Sequence, residues 1–217
     1  MKKYTFIIIL VLIPGFIFSQ KFSFSVVLDP QVTWLRTELD DIRNDGSVFG
    51  ISSGLVFDRY FTDNYAFSTG ISLWQTGGKL LFKDSMDIQF RSGEETLGPN
   101  TSMTYKLQYL TIPFSLKLNS NEIGYVSFYA HVGINNHISV GRSASVESMD
   151  INKVGIPEEI NIYSMSYFFG GGCEYSLGGN TSLLGGLYFT SGFWDITSSD
   201  EYRATLNAVS LRLGIRF

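Results

Sequence analysis

The sequence predicts an all-β fold, an eight-stranded antiparallel up-and-down transmembrane β-barrel. The first observation is the final stretch, NAVSLRLGIRF (207–217), where apolar and polar residues alternate strictly, as in a strand with one apolar and one polar face. Seven earlier segments show the same kind of pattern, and short and long connections alternate between the eight. A strand with five bulky apolar residues on one face is an aggregation risk in water, but its apolar face suits contact with lipid.

The N-terminal stretch MKKYTFIIILVLIPGFIFSQ has the layout of a secretory signal peptide. Lys2 and Lys3 precede an apolar run over 4–18, and the small residue Ser19 follows. An uncleaved membrane anchor is the alternative, but the run is shorter than the roughly 20 residues of a spanning helix, and Pro14 interrupts it. We therefore predict a cleaved signal peptide at 1–20 and one barrel domain at 21–217.

The composition favours strands and argues against a nucleic-acid partner. The chain is 44% hydrophobic and 15% aromatic, with 22 Gly and only 5 Pro, which suits many strands. It has 16 basic and 20 acidic residues, and loss of Lys2 and Lys3 makes the balance more acidic. No basic patch is then left to neutralise phosphates of a nucleic acid. Cys173 is the single cysteine, so no internal disulfide can form.

Eight segments are predicted as strands, most of them close to the roughly 10 residues of a tilted strand that crosses a bilayer. In chain order they cover 22–34, 48–58, 65–77, 103–118, 123–140, 162–177, 181–193 and 207–217. The connections RYFTDN, LNSNE and SLGGNT are rich in Asn, Asp, Ser and Gly and predict tight turns. The connections near 35–47, 78–102, 141–161 and 194–206 are long and polar. This alternation predicts that both termini lie at the short-turn end, on the periplasmic side of an outer membrane.

The polarity of the two faces separates a membrane barrel from a soluble one. In strand five the residues Val126, Phe128, Ala130, Val132, Ile134 and Ile138 share one face, while Tyr129, His131, Asn135 and His137 share the other. A soluble, lipocalin-like barrel would have an apolar interior. Here the face predicted to be inside contains the charged residues Asp29, Lys117, Glu174, Arg212 and Arg216. Polar packing inside and lipid outside fit this arrangement better.

Strand four breaks this regularity. Leu110, Ile112, Phe114, Leu116 and Leu118 share a face, but Tyr105, Leu107 and Tyr109 lie on the other. Two explanations remain open: a bulge near Tyr109, or a part of the strand that projects beyond the bilayer.

Aromatic residues are predicted to form girdles at the two membrane surfaces. Trp34, Trp74 and Trp194 fall at the outer ends of strands. Tyr60, Phe61 and Tyr65 cluster around the first short turn and could supply the opposite girdle.

The charged residues on the inner face are predicted to have a structural role. An eight-stranded barrel is just wide enough for its own side chains, and buried charges are costly unless they are paired. Asp29 on the first strand and Arg212 on the last should meet where the barrel closes. Lys117, Glu174 and Arg216 are assigned the same structural role, and no catalytic, cofactor or metal site is predicted.

The two histidines, His131 and His137, lie on one face of strand five. A separation of about 20 Å along the strand is too large for a shared metal. His137 lies near the outer rim, where certain eight-stranded lipid-modifying enzymes keep a catalytic histidine. Such a site would need a nucleophile, for which Ser139 and Ser143 are the nearest in sequence, and an orienting acid.

The sequence resembles the PorT-like outer-membrane β-barrel family, which includes a component associated with type IX secretion and gliding. The resemblance lies in FGISSGLVFDRYFTDNYAFSTGISLWQTGG, in YLTIPFSLKL followed by FYAHVGINNHISVG, in GGGCEYSLGGNTSLLGGLYFTSGFWDI and in the terminal LRLGIRF. It implies an outer-membrane location, and it makes Phe217 similar to the aromatic end of the signal that the barrel-assembly machinery recognises.

These observations lead to one functional expectation with two alternatives. We expect a non-enzymatic integral outer-membrane barrel that needs no cofactor and supports an envelope assembly, with type IX protein secretion as the particular assembly that the resemblance suggests. Its expected partners are outer-membrane lipid, the barrel-assembly machinery during insertion, and secretion or other envelope proteins. A small-solute pore and, less favoured, an outer-membrane lipid-modifying enzyme are the alternatives. The loops 83–102 and 141–161 are either plain solvated loops or a surface for a partner.

Overall fold

The computed structural model describes residues 21–37, 39, 41–91, 93–157, 159–197 and 203–217. The predicted signal peptide at 1–20 lies outside these residues and stays a prediction. No helix in the described part of the chain is long and apolar enough to span a bilayer.

Twelve strands account for most of the described chain. In order they are β1 (Phe22–Thr37), β2 (Ile42–Gly46), β3 (Val48–Thr62), β4 (Tyr65–Phe82), β5 (Met86–Phe90), β6 (Gly93–Leu97), β7 (Thr101–Asn119), β8 (Val126–Val146), β9 (Ile151–Gly155), β10 (Tyr163–Gly178), β11 (Thr181–Gly192) and β12 (Ala204–Arg216). A 3-10 turn, Glu147–Met149, lies between β8 and β9.

Eight of these strands close into a barrel. Neighbouring strands pair in the order β10, β11, β12, β1, β3, β4, β7 and β8, and β8 pairs again with β10. All of these pairings are antiparallel, including β1 with β12, where Ser25 lies opposite Arg216. The backbones of Phe24 and Phe217 exchange two hydrogen bonds beside that pair, at 3.1 and 2.7 Å. The predicted eight-stranded antiparallel up-and-down barrel is therefore confirmed.

The connections differ at the two ends of the barrel. At what we call the turn end, the strands are joined by short connections such as that between β10 and β11. There Gly178 and Gly179 have φ values of 99° and 62°, a left-handed region that favours glycine. At the opposite end, the loop end, the long connections contain the four short strands β2, β5, β6 and β9. The sequence predicted these connections only as polar loops. The four short strands within them were not predicted.

In the half of the barrel nearer the turn end, the outer face is apolar and the inner face is polar. Val209, Leu211, Leu213, Ile215 and Phe217 of the closing strand all point outward and are exposed, while Ser210 lies inside. The other barrel strands contribute further exposed side chains, among them Leu28, Phe57, Phe67, Ile71, Phe114, Leu116, Phe128, Val132, Phe169 and Leu187. This continuous apolar surface, which we call the lipid-facing band, confirms the predicted faces of the closing strand.

In the half nearer the loop end, the two faces exchange polarity. A cluster of buried apolar residues, the loop-end core, fills the interior; it includes Leu35, Leu80, Phe82, Ile88, Phe90, Leu97, Met103, Tyr105, Leu107, Ile156 and Leu206. The outer face of the same strands carries exposed polar residues such as Gln75, Lys106 and Gln108. This half of the barrel is built like a soluble protein.

The exchange of polarity explains the irregularity of the fourth predicted strand. Tyr105, Leu107 and Tyr109 of β7 are fully buried and point to the same side as Ser115 and Lys117. The face does not change along β7; only its composition does. A bulge is also present, but it lies in β8, where Val140 is the extra residue between partners of Tyr109 and Gln108.

The aromatic girdles are only partly as predicted. Trp34 and Trp194 lie on the outer surface near the loop end, with Trp34 beside Phe189 at a ring-centre distance of 6.5 Å. The prediction for Trp74 is wrong: it occupies an inward position of β4 and is buried in the lumen. At the turn end, Phe61 and Tyr65 are exposed and stack on each other, whereas Tyr60 points inward.

Candidate functional site

The charged pair at the closing seam joins the first and last strands of the barrel. Nε and Nη2 of Arg212 on β12 donate hydrogen bonds to Oδ1 and Oδ2 of Asp29 on β1, at 3.0 and 2.7 Å. The guanidinium of Arg212 also lies over the ring of Tyr188, 4.1 Å from its centre. This fork-to-fork geometry is the strong form of an ion pair between arginine and a carboxylate.

The position of this pair coincides with a gap in the backbone ladder. The register of β1 with β12 runs from Ser25 to Leu28 and resumes at Gln31, so Asp29 and Pro30 have no backbone partner on β12. Pro30 has no N–H to donate, which accounts for the interruption. The Asp29–Arg212 contact therefore links the two strands where the backbone bonds do not.

A second charged cluster lies closer to the turn end and joins four strands. Nζ of Lys117 on β7 lies 2.9 Å from Oδ2 of Asp58 on β3 and 2.7 Å from Oε1 of Glu174 on β10. Glu174 is also paired with Arg216 on β12. Asp58, Lys117 and Glu174 are almost completely buried.

Asp58 is the member of this cluster that the sequence analysis missed. Its signal was present, because it has the same parity as Ser52, Gly54 and Val56, opposite to the apolar residues Leu55 and Phe57. It is the last residue of the segment predicted as a strand, 48–58, next to a turn rich in polar residues, and it was not included among the inward charges. In the structure β3 continues to Thr62.

Together the two clusters contain three acidic and three basic side chains, which balance in charge. Hydroxyl groups make further hydrogen bonds to the charged groups. Oγ of Ser68 donates to Oδ1 of Asp58 at 2.5 Å, and Oγ of Ser182 accepts from Nη2 of Arg216 at 3.2 Å. Removal of six charges from water costs free energy that mutual pairing offsets only when the geometry is good. The arrangement is that of a polar core, in which every charge has an opposite partner.

Both histidines point into the lumen, and hydroxyl groups contact their ring nitrogens. Nε2 of His131 lies 2.7 Å from Oγ of Ser115, and its Nδ1 lies 3.1 Å from the hydroxyl of Tyr188. The two nitrogens of His137 lie 2.8 Å from Thr111 and 2.8 Å from Ser166.

These contacts differ from those that the lipid-modifying alternative requires. Oγ of Ser139 has no hydrogen-bond partner among the described residues, and Oγ of Ser143 donates to the backbone of Lys106. Neither of the two serines therefore contacts His137. The hydroxyl-bearing partners of each histidine also lie inside the barrel wall, away from lipid.

A small polar chamber of about 70 Å³ lies between the charged clusters and the loop-end core. Serine, threonine and asparagine side chains line it, together with both histidines and the Asp29–Arg212 pair. Nε2 of Gln31 and Nε1 of Trp74 also line it and have no hydrogen-bond partner among the described residues. Its size and its donors suit a few water molecules.

The lumen is thus obstructed at two levels. Toward the loop end, the loop-end core fills the barrel with apolar side chains such as Leu35, Leu107 and Tyr109. Toward the turn end, the ion pairs of Lys117 cross the lumen from β7 to β3 and β10. The chamber lies in the interior between these two levels.

The remaining candidates for a reactive or metal-binding site are metal-ligating side chains and the cysteine. No group of three or more His, Cys, Asp or Glu side chains there is placed to hold a metal ion. Cys173 is exposed on the outer surface of β10, in the lipid-facing band.

The fold and the lumen define a class: a closed transmembrane barrel with a packed interior and a folded loop end. The family comparison agrees, since the family model described as "Outer membrane protein beta-barrel domain" matches residues 15–198. The chain belongs to this outer-membrane β-barrel family. No curated protein matches it.

Solved structures of outer-membrane proteins are similar to this chain at low sequence identity. Neisserial surface protein A (NspA) is 14% identical, with a TM-score of 0.52 over 91% of this chain and 97% of that one. The attachment invasion locus protein Ail of Yersinia pestis is 13% identical, with a TM-score of 0.45 over 91% and 98% of the two chains. OprG from Pseudomonas aeruginosa is 9% identical, with a TM-score of 0.45 over 90% and 95%.

Proposed function

We propose that this outer-membrane barrel is a non-enzymatic component of an envelope assembly, which it serves as a membrane-anchored platform. In this proposal the turn end faces the periplasm and the loop end faces the cell exterior. The support for this orientation is the usual construction of such barrels, which have short periplasmic turns and longer outer loops.

The observation that carries the proposal is the packed lumen. A pore needs a continuous aqueous path, and here both the Lys117 ion pairs and the loop-end core cross the interior. An enzyme of the lipid-modifying type needs a nucleophile and base that lipid can reach, and the two histidines are buried inside the wall. A platform that binds other envelope proteins requires neither an aqueous path through the barrel nor a reactive centre.

The loop end supplies the surface for such binding. Its short strands are anchored from beneath, because Ile88 and Phe90 of β5 and Leu97 of β6 are buried in the loop-end core. Glu94 and Glu95 of β6 remain exposed above them. Binding residues are commonly carried on loops that a rigid scaffold positions.

The particular assembly that we propose is type IX protein secretion, on the basis of the resemblance of the sequence to the PorT-like family. The test is a strain that lacks the gene, with and without a plasmid that restores it. We expect export of surface proteins to fall in the deletion strain and to recover with the plasmid.

The same strain can carry a photo-crosslinking residue at Glu95, with Glu122 at the turn end as the matched exposed position. Capture of a secretion component at either position would support the proposal. Normal export together with capture of another envelope protein would rule out the role in secretion and would still support the role as a platform. Normal export without any specific capture would overturn the proposal as a whole.

A further inference from the structure

The second strand of the β5–β6 hairpin has an outer edge that no other described strand covers. The two strands form a sheet of their own, and within the described chain β6 pairs with β5 alone. Glu94, Glu95 and Thr96 are consecutive on β6 and all exposed, so both faces of the strand are open to solvent at this place. Ile88 of β5 and Leu97 of β6 are buried in the loop-end core and hold the hairpin in position.

The outer edge of β5, by contrast, is covered. The backbone N–H of Gln89 donates to Oε1 of Glu159 at 3.2 Å, and the backbone N–H of Arg91 donates to the carbonyl of Gly155 at 2.8 Å. Backbone groups of a strand point alternately to its two edges, so Ile88, next to Gln89, directs its groups toward β6. The hairpin therefore has one covered edge and one open edge.

The same alternation identifies the open backbone groups of β6. Ile88 lies opposite Glu95, so these two residues bond to each other across the hairpin. Their neighbours on β6, Glu94 and Thr96, direct their N–H and C=O groups to the outside. Neither of the two makes a backbone hydrogen bond at this edge to another residue that the structure describes. Four backbone groups are therefore available to an added strand.

The open edge is acidic on both faces. Adjacent residues of a strand point to opposite faces, so Glu94 and Glu95 present one carboxylate on each. Asp87 of β5 shares the face of Glu94, because it lies opposite Thr96, and it accepts a hydrogen bond from the hydroxyl of Thr96 at 2.6 Å. An added strand therefore meets negative charge on each of its two faces.

Two cations belong to the same region and lie away from this edge. The side chain of Arg91 packs at Gly155, where an added Cβ atom would lie 3.6 Å from its Cδ, so it is on the β5 side of the hairpin. Lys83 precedes β5 and is followed directly by Asp84, which offsets its charge. The edge of β6 thus keeps its negative charge.

The charge of the edge also decides between two kinds of occupant. In an antiparallel pair of two β6 strands centred on Glu95, the two copies of Glu95 would lie opposite each other. A pair centred on Glu94 would do the same with that residue. Like charges directly opposite each other destabilise a sheet. A second copy of this chain is therefore a poor occupant, and a strand of opposite charge is a good one.

We propose that the outer edge of β6 binds an extended segment of another envelope protein by strand addition. The backbone of the segment bonds to Glu94 and Thr96, which supplies affinity. The segment carries two adjacent basic residues, because Glu94 and Glu95 point to opposite faces and each needs its own partner. The inference rests on the proposed function as a platform, and it names the kind of segment that the platform holds.

The test adds a blocked peptide, acetyl-Thr-Val-Lys-Lys-Val-Thr-amide, to the isotope-labelled barrel in detergent, and NMR measures hydrogen exchange of single backbone amides. In the free protein the amides of Glu94 and Thr96 should exchange quickly, and that of Glu95, which bonds to β5, slowly. The peptide should slow exchange at Glu94 and Thr96 about fivefold when about four-fifths of the protein is bound, since only free protein then exchanges. Unchanged exchange at both amides, up to the solubility limit of the peptide, would overturn the site.

Two control peptides separate strand addition from simple charge attraction. The first carries N-methyl groups on the backbone nitrogens of both lysines, which removes a donor from each edge of the peptide at unchanged charge. The second has glutamate in place of both lysines. Neither should slow exchange at Glu94 or Thr96. Equal protection by the methylated peptide would overturn strand addition, and equal protection by the acidic peptide would overturn the choice of a basic segment.

Substitutions that keep the backbone test the charges of the edge. Glu94→Gln and Glu95→Gln each remove one carboxylate, and Glu147→Gln, exposed on the 3-10 turn, is the matched control at the same end of the barrel. Each of the first two should weaken binding of the lysine peptide about two- to threefold, the size of an exposed ion pair, and both together about fivefold. The control should bind as the wild type does, and an equal loss in Glu147→Gln would overturn the assignment to this edge.

These measurements use the purified barrel, so their failure counts against the edge of β6 alone. The export assay in the deletion strain tests the proposed function, and its failure leaves peptide binding at the edge unchanged.

Discussion

The Asp29–Arg212 pair can be tested by a double-mutant cycle. Asp29→Ala leaves the guanidinium of Arg212 in the lumen without its carboxylate, which should cost roughly 3–5 kcal/mol of unfolding free energy. In the double variant Asp29→Ala/Arg212→Met no unpaired charge remains, so part of the loss should be recovered. Urea unfolding of the refolded barrel in detergent measures both. Additive effects of the two substitutions would show that the pair does not couple the strands.

At the scale of residues, parity within a strand was enough to place charges but not to find all of them. It put Asp29, Lys117, Glu174, Arg212 and Arg216 inside, where the structure has them. It also holds for Asp58, which was left out of the predicted inward charges, and for Trp74, which was assigned to the outer girdle; each lies near the end of a predicted strand. Near the end of a predicted strand, a residue can also be interpreted as part of a turn or of an aromatic girdle. Its side-chain direction follows from parity only if the strand is known to continue past it.

At the scale of an element, β4 offers a direct test of the exchange of polarity. Ile71 and Gln75 point outward from the same strand, four residues apart, the first within the lipid-facing band and the second above it. Ile71→Lys should cost roughly 2–4 kcal/mol if its depth is near the midplane, because the ammonium group must enter hydrocarbon. Gln75→Lys should cost close to nothing.

The measurement is again equilibrium unfolding, now in lipid vesicles, so that the outer surface is in contact with a bilayer. Repetition in a detergent micelle provides the control, since a micelle adapts to a surface charge and should reduce the difference between the variants. If both substitutions had the same effect in vesicles, the boundary between the lipid-facing band and the polar outer surface above it would be misplaced.

The elements of the barrel could be predicted because each carries a periodic pattern. All eight predicted segments correspond to strands, most with extended ends. The short strands β5 and β6 were missed because Met86–Phe90 and Gly93–Leu97 offer too few residues for a period to stand out from a polar loop. Their burial depends on tertiary packing over the barrel opening, which no local pattern encodes.

At the scale of the whole molecule, the packed lumen predicts that the barrel conducts no ions. In planar lipid bilayers the wild-type protein should give a baseline current, because its interior is crossed by ion pairs and by apolar side chains. An open porin, reconstituted in the same way, serves as the positive control.

A variant in which only Lys117 and Glu174 are replaced by Ala should remain silent, since the loop-end core is intact. Reproducible single-channel steps from the wild type would overturn this prediction and favour the small-solute pore. Steps from the variant alone would show that the charged cluster, and not the loop-end core, is the barrier.

The exchange of polarity also fixes how deeply the barrel is immersed and which bilayer it prefers. On β7 and β12 the apolar outer faces span Leu110–Leu118 and Val209–Phe217, eight residue steps each, or about 20 Å across a tilted strand. A hydrocarbon layer of ordinary thickness, about 30 Å, would submerge Gln75 and Gln108 on one side or the polar residues of the short turns on the other. Hydrophobic mismatch thus favours a thin membrane, as the bacterial outer membrane is, and opposes residence in a thicker one.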